Sequence, residues 1–427
     1  MDPDLAAAMA RRARLLGPNV PTFYRTPVHI VEGRGVWLTD RDGKRYLDAY
    51  NNVPHVGHGH PQVVAAVSRQ MGRLNTHSRY LHDGILEYAE RLTSTFAAPL
   101  SQALFTCTGS EAMDVALRMA EAATGRTGII ATDNTYHGNT AAVSRLSTRR
   151  PPVGGYPDHI RLIPAPDDRV PLGGSRPAQP EAFAAQISNA ILELDAAGHG
   201  LAALVVCPVF ANEGLPDVSA GWLAPAVEVV QRAGGLLIVD EVQPGLGRLG
   251  SQFWGHGLLE VTPDICVLGK SLGNGFPLAA LVTAPETMAA FRAHFGYFNT
   301  FAATPVAAAA GLEVLDVIES EGLQNNARET GAYLAQGLRS VSHPAIARRT
   351  CHGLMAAVEL ALDGRPTPRL AEDVVERMKD AGVLIGRIGR GMHILKIRPP
   401  LPFARHDVDR LIDALEAALA HASVPAE

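Results

Sequence analysis

A chain of 427 residues exceeds what a single hydrophobic core usually supports, so two domains are expected. Apolar residues make up 47% of it and charged residues 19%, which excludes a disordered or fibrous chain and describes a globular one with large cores. A net charge of -5 and a pI of about 6.3 leave no basic footprint for nucleic acid or an anionic membrane, so the expected partner is a small molecule or a second copy of the chain.

The N-terminal stretch "MDPDLAAAMARRARLL" is acidic first and basic later, and its short apolar run is broken by two arginines, unlike a signal peptide. No uninterrupted apolar run approaches the length of a membrane span. Cys107, Cys207, Cys266 and Cys351 lie far apart without a CxxC pair, against a zinc knuckle or a disulfide framework. A cytoplasmic location is expected. Tyr24 and Arg25 in "FYRTP" are placed at a substrate entrance, and "GVWLTDRDGKRYLDAY" (35–50) alternates and turns at "RDGK", the pattern of a hairpin. The close spacing of His55, His58 and His60 suggests a metal, but the segment is glycine-rich and lacks a neighbouring carboxylate or cysteine, so no metal is expected.

From about residue 100 to 300, short apolar runs recur at 102–107, 128–132, 159–165, 201–208, 236–242 and 264–270. Helical patterns lie between them, among them 110–124, 179–194 and 221–234. Buried strands alternating with amphipathic helices predict an α/β fold, a mostly parallel central sheet wrapped by helices. The stretch "VPLGGSRPAQP" (170–180) reads as a surface loop. After "TPVAAAAGLEVLDVIESEGL" (304–323) the pattern changes to two long helices around short strands, a smaller α+β domain. The expected division is an N-terminal segment, 1–60, joining the small domain, a large domain over 61–318, and the C-terminal part of the small domain over 319–427.

Ligands of an open parallel sheet bind at the carboxyl ends of its strands. Lysine occurs only at 44, 270, 379 and 396, and Lys270 follows the apolar run "ICVLG" at such an end. A poorly solvated lysine there can act as a nucleophile and form a Schiff base, although a lysine at a strand end can equally snorkel to the surface. Asp240 closes "LLIVD" at the same edge, where a carboxylate can keep a heterocyclic nitrogen protonated; a turn or N-cap aspartate is the plainer alternative. Gly245, Gly247 and Gly250 have G-x-G-x-x-G spacing but no helical pattern follows them, which argues against a dinucleotide site. In "TCTGSEAM", Gly109 and Ser110 open a helix whose free amides suit a phosphate, and a simple serine cap would account for this segment alone. Tyr136 in "TYHGNT" can stack on a planar cofactor.

These pieces, in this order, resemble the class III pyridoxal-phosphate aminotransferases, the omega-aminotransferase family of fold type I, over nearly the whole chain. The resemblance implies that Lys270 forms the Schiff base with pyridoxal 5'-phosphate, Asp240 pairs with the pyridine nitrogen, Val242 packs on the ring and Gln243 lies near its phenolic oxygen. It implies that Gly109 and Ser110 hold the phosphate and that Tyr136, followed by His137 and Gly138, covers the opposite ring face. In "TFAATP", Thr300 takes the role of a threonine reaching the phosphate of the neighbouring subunit, which implies a homodimer with shared active sites. The implied activity moves an amino group from an amine or amino acid to a keto acid.

Four segments, 51–61, 74–83, 269–275 and 394–400, look closest to the ethanolamine-phosphate and phosphohydroxylysine phospholyases of the same family, which makes phosphate elimination the alternative activity. Three positions depart from the patterns. Lys396, with Arg398 beside it, stands where many members carry an arginine for the substrate carboxylate, so both are expected to meet the substrate's charge. Cys207 and Pro208 replace a glutamate-proline pair, with Glu213 the nearest substitute. Phe276 replaces the histidine of the phospholyase branch.

Overall fold

The computed structural model describes residues 3–422. A peripheral helix, α1 (Pro3–Leu16), buries none of its residues. It precedes β1 (Ile30–Arg34), β2 (Trp37–Asp40) and β3 (Arg45–Asp48), an antiparallel meander whose second turn is the one at "RDGK". That turn is held by Asp40 Oδ1, which accepts from the N–H groups of Asp42 and Lys44 at 3.0 and 2.9 Å. Helices α2 (Pro61–Met71) and α3 (Asp83–Thr93) lead into the large sheet.

That sheet contains β4 (Gln102–Thr106), β5 (Gly128–Thr132), β6 (Ile160–Ile163), β7 (Leu201–Val206), β8 (Leu236–Asp240), β9 (Ile265–Leu268) and β10 (Ala279–Thr283). Its order is β4-β10-β9-β8-β7-β5-β6. The intervening helices are α4 (Gly109–Thr124), α5 (Gln179–Ala196) and α6 (Ala224–Arg232). All six residues of β7 are buried, as expected of a strand covered on both faces. Leu204, Val206, Leu237 and Val239 face α5 and α6 in one cluster with Phe183, Ile187 and Val230. Their alternates Ala203, Val205, Ile238 and Val267 meet Met113 and Leu117 of α4 on the other side. Each large apolar side chain buried in these layers contributes roughly 1.5–3 kcal/mol.

One strand differs from the parallel expectation: β10 runs antiparallel to both β9 and β4. Only residues 269–278 separate β9 from β10, which is shorter than the crossover of about a dozen residues that a parallel neighbour requires. The expected loop at 170–180 contains a 3₁₀ turn, Leu172–Gly174, and runs into α5. The glycines after β8 serve packing: Gly250 has φ +71, and a Cβ there would lie 2.5 Å from the Arg328 backbone.

The chain continues through α7 (Pro285–His294), α8 (Pro305–Ser320) and α9 (Leu323–Ser340), with α8 packed on α2 and α3. It then forms β11 (Ile346–His352), β12 (Met355–Leu362), β13 (Arg365–Pro366), α10 (Pro368–Asp380), β14 (Val383–Leu384), β15 (Gly386–Ile388), β16 (Ile394–Ile397) and α11 (Arg405–His421). β11, β12, β16 and β15 make a second antiparallel sheet, while β14 pairs in parallel with β3. No described helix is long and apolar enough to cross a membrane.

Candidate active site

The parallel pairing of β8 and β9 sets Asp240 opposite Val267, so Lys270, three residues further on, emerges at the same sheet edge. Lys270 sits at φ +40 and Asn274 at φ +48, both in the left-handed region. Such a conformation costs a non-glycine residue about 1–3 kcal/mol and persists where neighbours over-determine it. Here Asn274 supplies the anchor: its Oδ1 accepts from Val56 N at 3.0 Å and its Nδ2 donates to Gly57 O at 2.9 Å. Burial, reinforced by the Arg398 charge and opposed by Asp240, holds the Lys270 amine down at about 8.

Asp240 is buried and fixed from two sides. Its Oδ1 accepts from Val242 N at 3.0 Å, and its Oδ2 lies 2.7 Å from His137 Nδ1. An ionised carboxylate can only accept, so His137 Nδ1 carries the proton and Nε2 faces the Thr135 hydroxyl at 3.1 Å.

Strand β4 ends beside these groups and α4 begins with a capping box. Thr108 Oγ1 accepts from Glu111 N at 3.2 Å, while Glu111 Oε2 accepts from Thr108 N at 3.2 Å and Cys107 N at 2.8 Å. With Glu111 N occupied, the amides of Gly109 and Ser110 are the ones left without an intrahelical partner. Ser110 Oγ accepts from Asn139 N at 3.2 Å, which draws the 136–140 loop over the helix start. The approach is tight: Gly138 has φ +149, and a Cβ on it would lie 2.8 Å from Ser110 Cα. A Cβ on Gly109 would meet Val242 Cγ2 at 3.2 Å, and one on Gly269 would meet Gly109 Cα at 3.3 Å.

A cationic group closes the deep side. Gln243 Oε1 accepts from Lys396 Nζ at 2.8 Å and from Arg398 Nη1. Its Nε2 donates to Asn212 Oδ1 at 3.2 Å. Arg398 also donates through Nε to Tyr50 O at 3.3 Å and lies over the Tyr50 ring at 5.2 Å. Its Nη2 takes no partner among the described residues. Arg248 is completely buried, donating to Leu354 O, Pro399 O and His55 Nδ1. Burial and the Arg248 charge hold His55 down at about 3, so its Nδ1 is free to accept.

Lys396, expected to meet the substrate's charge, is buried and engaged within the protein. Its side chain is 2% exposed, and Nζ is spent on Gln243 Oε1 and, at 2.6 Å, on Ala211 O. Glu213 is engaged as well, with Oε1 accepting from Thr132 Oγ1 at 2.7 Å and Oε2 from Asn212 N at 3.0 Å. Tyr24 donates its hydroxyl to Ile385 O at 3.1 Å. Tyr136 is 46% exposed, and Thr300 lies on an exposed segment next to Phe301, which is 74% exposed. His55, His58 and His60 turn to separate partners: Leu246 O, Asp48 Oδ2 at 2.7 Å and Glu321 Oε1 at 3.1 Å. Among the described residues no group of three or more His, Cys, Asp or Glu could hold a metal ion.

Arg248, Asn212, Asn274 and Tyr50 were missed by sequence reasoning. Each lies in a turn whose residue types fit many surface loops. The asparagine in "GNG" is the exception: a left-handed residue beside the lysine is a readable cue.

The donor set fits pyridoxal phosphate: an amine of lowered basicity, a buried carboxylate, and a glycine-lined cradle at a helix N-terminus that added Cβ atoms would fill. The family model described as aminotransferase class-III matches residues 21–419. An alanine–glyoxylate aminotransferase 2-like protein of Drosophila melanogaster is 37% identical over 94% of this chain and 84% of its own length. Among solved structures, a phospholyase from Arthrobacter in complex with phosphoethanolamine is 40% identical, covers 97% of this chain and 100% of that one, and superposes with a TM-score of 0.94. An omega transaminase from Pseudomonas jessenii in complex with PMP is 25% identical over 93% of each chain, with a TM-score of 0.85.

Proposed function

The chain belongs to the class III aminotransferase family and its cofactor is pyridoxal phosphate; from that footing we propose that it moves an amino group from an amine or amino acid to a keto acid at the site around Lys270. The observation that carries this reading is the placing of an amine lowered to about 8 and the His137-backed carboxylate of Asp240 on one sheet edge.

When bound, the cofactor supplies an electron sink for charge developing on the carbon that bears the amino group. Lys270 would hold it covalently and, once released, take a proton from that carbon at Nζ. Asp240 would keep its ring nitrogen protonated, with His137 fixing the carboxylate. Val242 and Tyr136 would enclose the ring, the Gln243 amide would donate to its oxygen, and Gly109 and Ser110 would receive the phosphate. Arg398 Nη2 is the donor available to the substrate's acidic group, and Tyr24 lines the approach. Thr300 would serve the phosphate of a second copy, in a homodimer; support is the openness of Tyr136 and of the 300–301 segment in the single chain.

On the same reading the large domain spans 61–318, and the small one combines 1–60 with 319–427. Support comes from the pairing of β3 with β14, which ties the two chain ends together. The cytoplasm is the proposed compartment, consistent with the free thiols of all four cysteines.

A second reading, elimination of phosphate from a phosphorylated amino alcohol such as phosphoethanolamine, is favoured by the higher similarity to the Arthrobacter phospholyase than to the Pseudomonas transaminase. Both readings share the proton removal at Lys270. Lys270→Ala tests them together: loss of turnover and of the visible absorbance of the bound cofactor is expected, and retained turnover would refute both.

A further inference from the structure

We infer that Lys396 is a positioning residue for Gln243 and not the receptor of the substrate's charge. The inference rests on the proposed place of Gln243 beside the cofactor ring.

A glutamine amide has an accepting end and a donating end, and its neighbours decide which faces where. Arg398 Nη1 can only donate, so the end of Gln243 that meets it is Oε1, and Lys396 Nζ donates to the same oxygen. Two donors fill its two lone pairs. The NH₂ group is thereby turned the other way, toward Asn212 Oδ1.

Lys396 also grips the loop that carries Asn212, because its second bond goes to the adjacent Ala211 carbonyl at 2.6 Å. The result is a closed circuit: Lys396 to Ala211, Asn212 to Gln243, and Gln243 back to Lys396. Its base is β16, whose pairing with β12 and β15 sets Lys396 against Ala357 and Gly386. No carboxylate pairs with Lys396 among the described residues. Burial and the neighbouring Arg398 charge hold its amine well below the ordinary lysine range, as suits a group used for its N–H bonds more than for its charge. A single compact nitrogen can reach both acceptors, which a planar guanidinium meets with different geometry.

The test is a double-mutant cycle on the holoenzyme, reading the cofactor dissociation constant and the pH midpoint of its visible absorbance. Lys396→Met and Gln243→Ala should each loosen the cofactor roughly tenfold, the worth of one hydrogen bond, and each should move the midpoint. In the Gln243→Ala background, Lys396→Met should add little, and Lys396→Arg should recover part of the loss in the wild-type background. Equal effects of Lys396→Met in both backgrounds would overturn the inference. So would unchanged cofactor readouts combined with weaker half-saturation only for amines bearing an acidic group. If Lys396→Met does not fold, Lys396→Arg and Gln243→Ala form the cycle. An unperturbed Gln243→Ala would remove the underlying placement of Gln243, and the inference with it; the fate of Lys270→Ala tells whether the wider reading falls too.

Discussion

Asp240 and His137, 103 residues apart in sequence, meet at 2.7 Å between Oδ2 and Nδ1, both buried. The contact joins the end of β8 to the loop after β5, so the carboxylate has one orientation and its charge stays directed into the site. Asp240→Asn keeps the shape and removes the charge. It should lower kcat by roughly 10²–10³-fold, about 3–4 kcal/mol, while the phosphate cradle still binds cofactor. Steady-state rates with cofactor occupancy measured in parallel check this.

The lysine makes a stability prediction for the apoprotein. Its amine titrates near 8 when folded, against an ordinary value of 10.5. The unfolded chain therefore binds more protons between those values, and stability rises with pH across that window. Below about pH 8 the penalty is fully present. Lys270→Met should stabilise the apoprotein at pH 7 by about 2 kcal/mol, discounted because the side chain keeps some contact with solvent, and the gain should fade by about pH 10.5. Denaturant titrations of both proteins at several pH values measure it.

Gly138 is a steric gate on the cradle. An alanine there combines φ +149 with a Cβ 2.8 Å from Ser110 Cα, so the 136–140 loop must lift from the start of α4. Gly138→Ala should weaken cofactor binding at least about tenfold from strain of roughly 1–3 kcal/mol. Equilibrium dialysis reads the affinity, and a thermal melt of the apoprotein shows whether the fold is kept.

If Thr300 serves the other copy, two defects can complement. A mixed dimer of Lys270→Ala and Thr300→Val chains would contain one site with both residues intact. At limiting cofactor it should show about half the wild-type activity. Activity no higher than the average of the two parent dimers would place Thr300 in its own chain's site.

Much of this was readable because apolar runs end in chemistry. The strands closing at Asp240 and at Leu268 before Lys270 are continuous hydrophobic segments, and the helix after Cys107 announces itself through Thr108 and Glu111. The reversed β10 was not among the expected strands: it is only five residues long, and its direction shows only in the shortness of 269–278. The aim of Lys396 was hidden for another reason. A strand alternates its faces, and which face looks into the site depends on register with β12 and β15, a tertiary property. Arg248 is hidden likewise: nothing in a glycine-rich turn tells that its arginine is fully buried against three acceptors.

Transfer of the amino group and elimination of phosphate are separated by the acceptor dependence of turnover. Holoenzyme is mixed with alanine or with phosphoethanolamine, each with and without a keto acid, and carbonyl product and free phosphate are counted per site. Amino-group transfer predicts at most one equivalent of carbonyl product per site without the keto acid, no phosphate, and sustained turnover when it is added. Many equivalents of phosphate and carbonyl product without any acceptor would contradict transamination and make the enzyme a phospholyase.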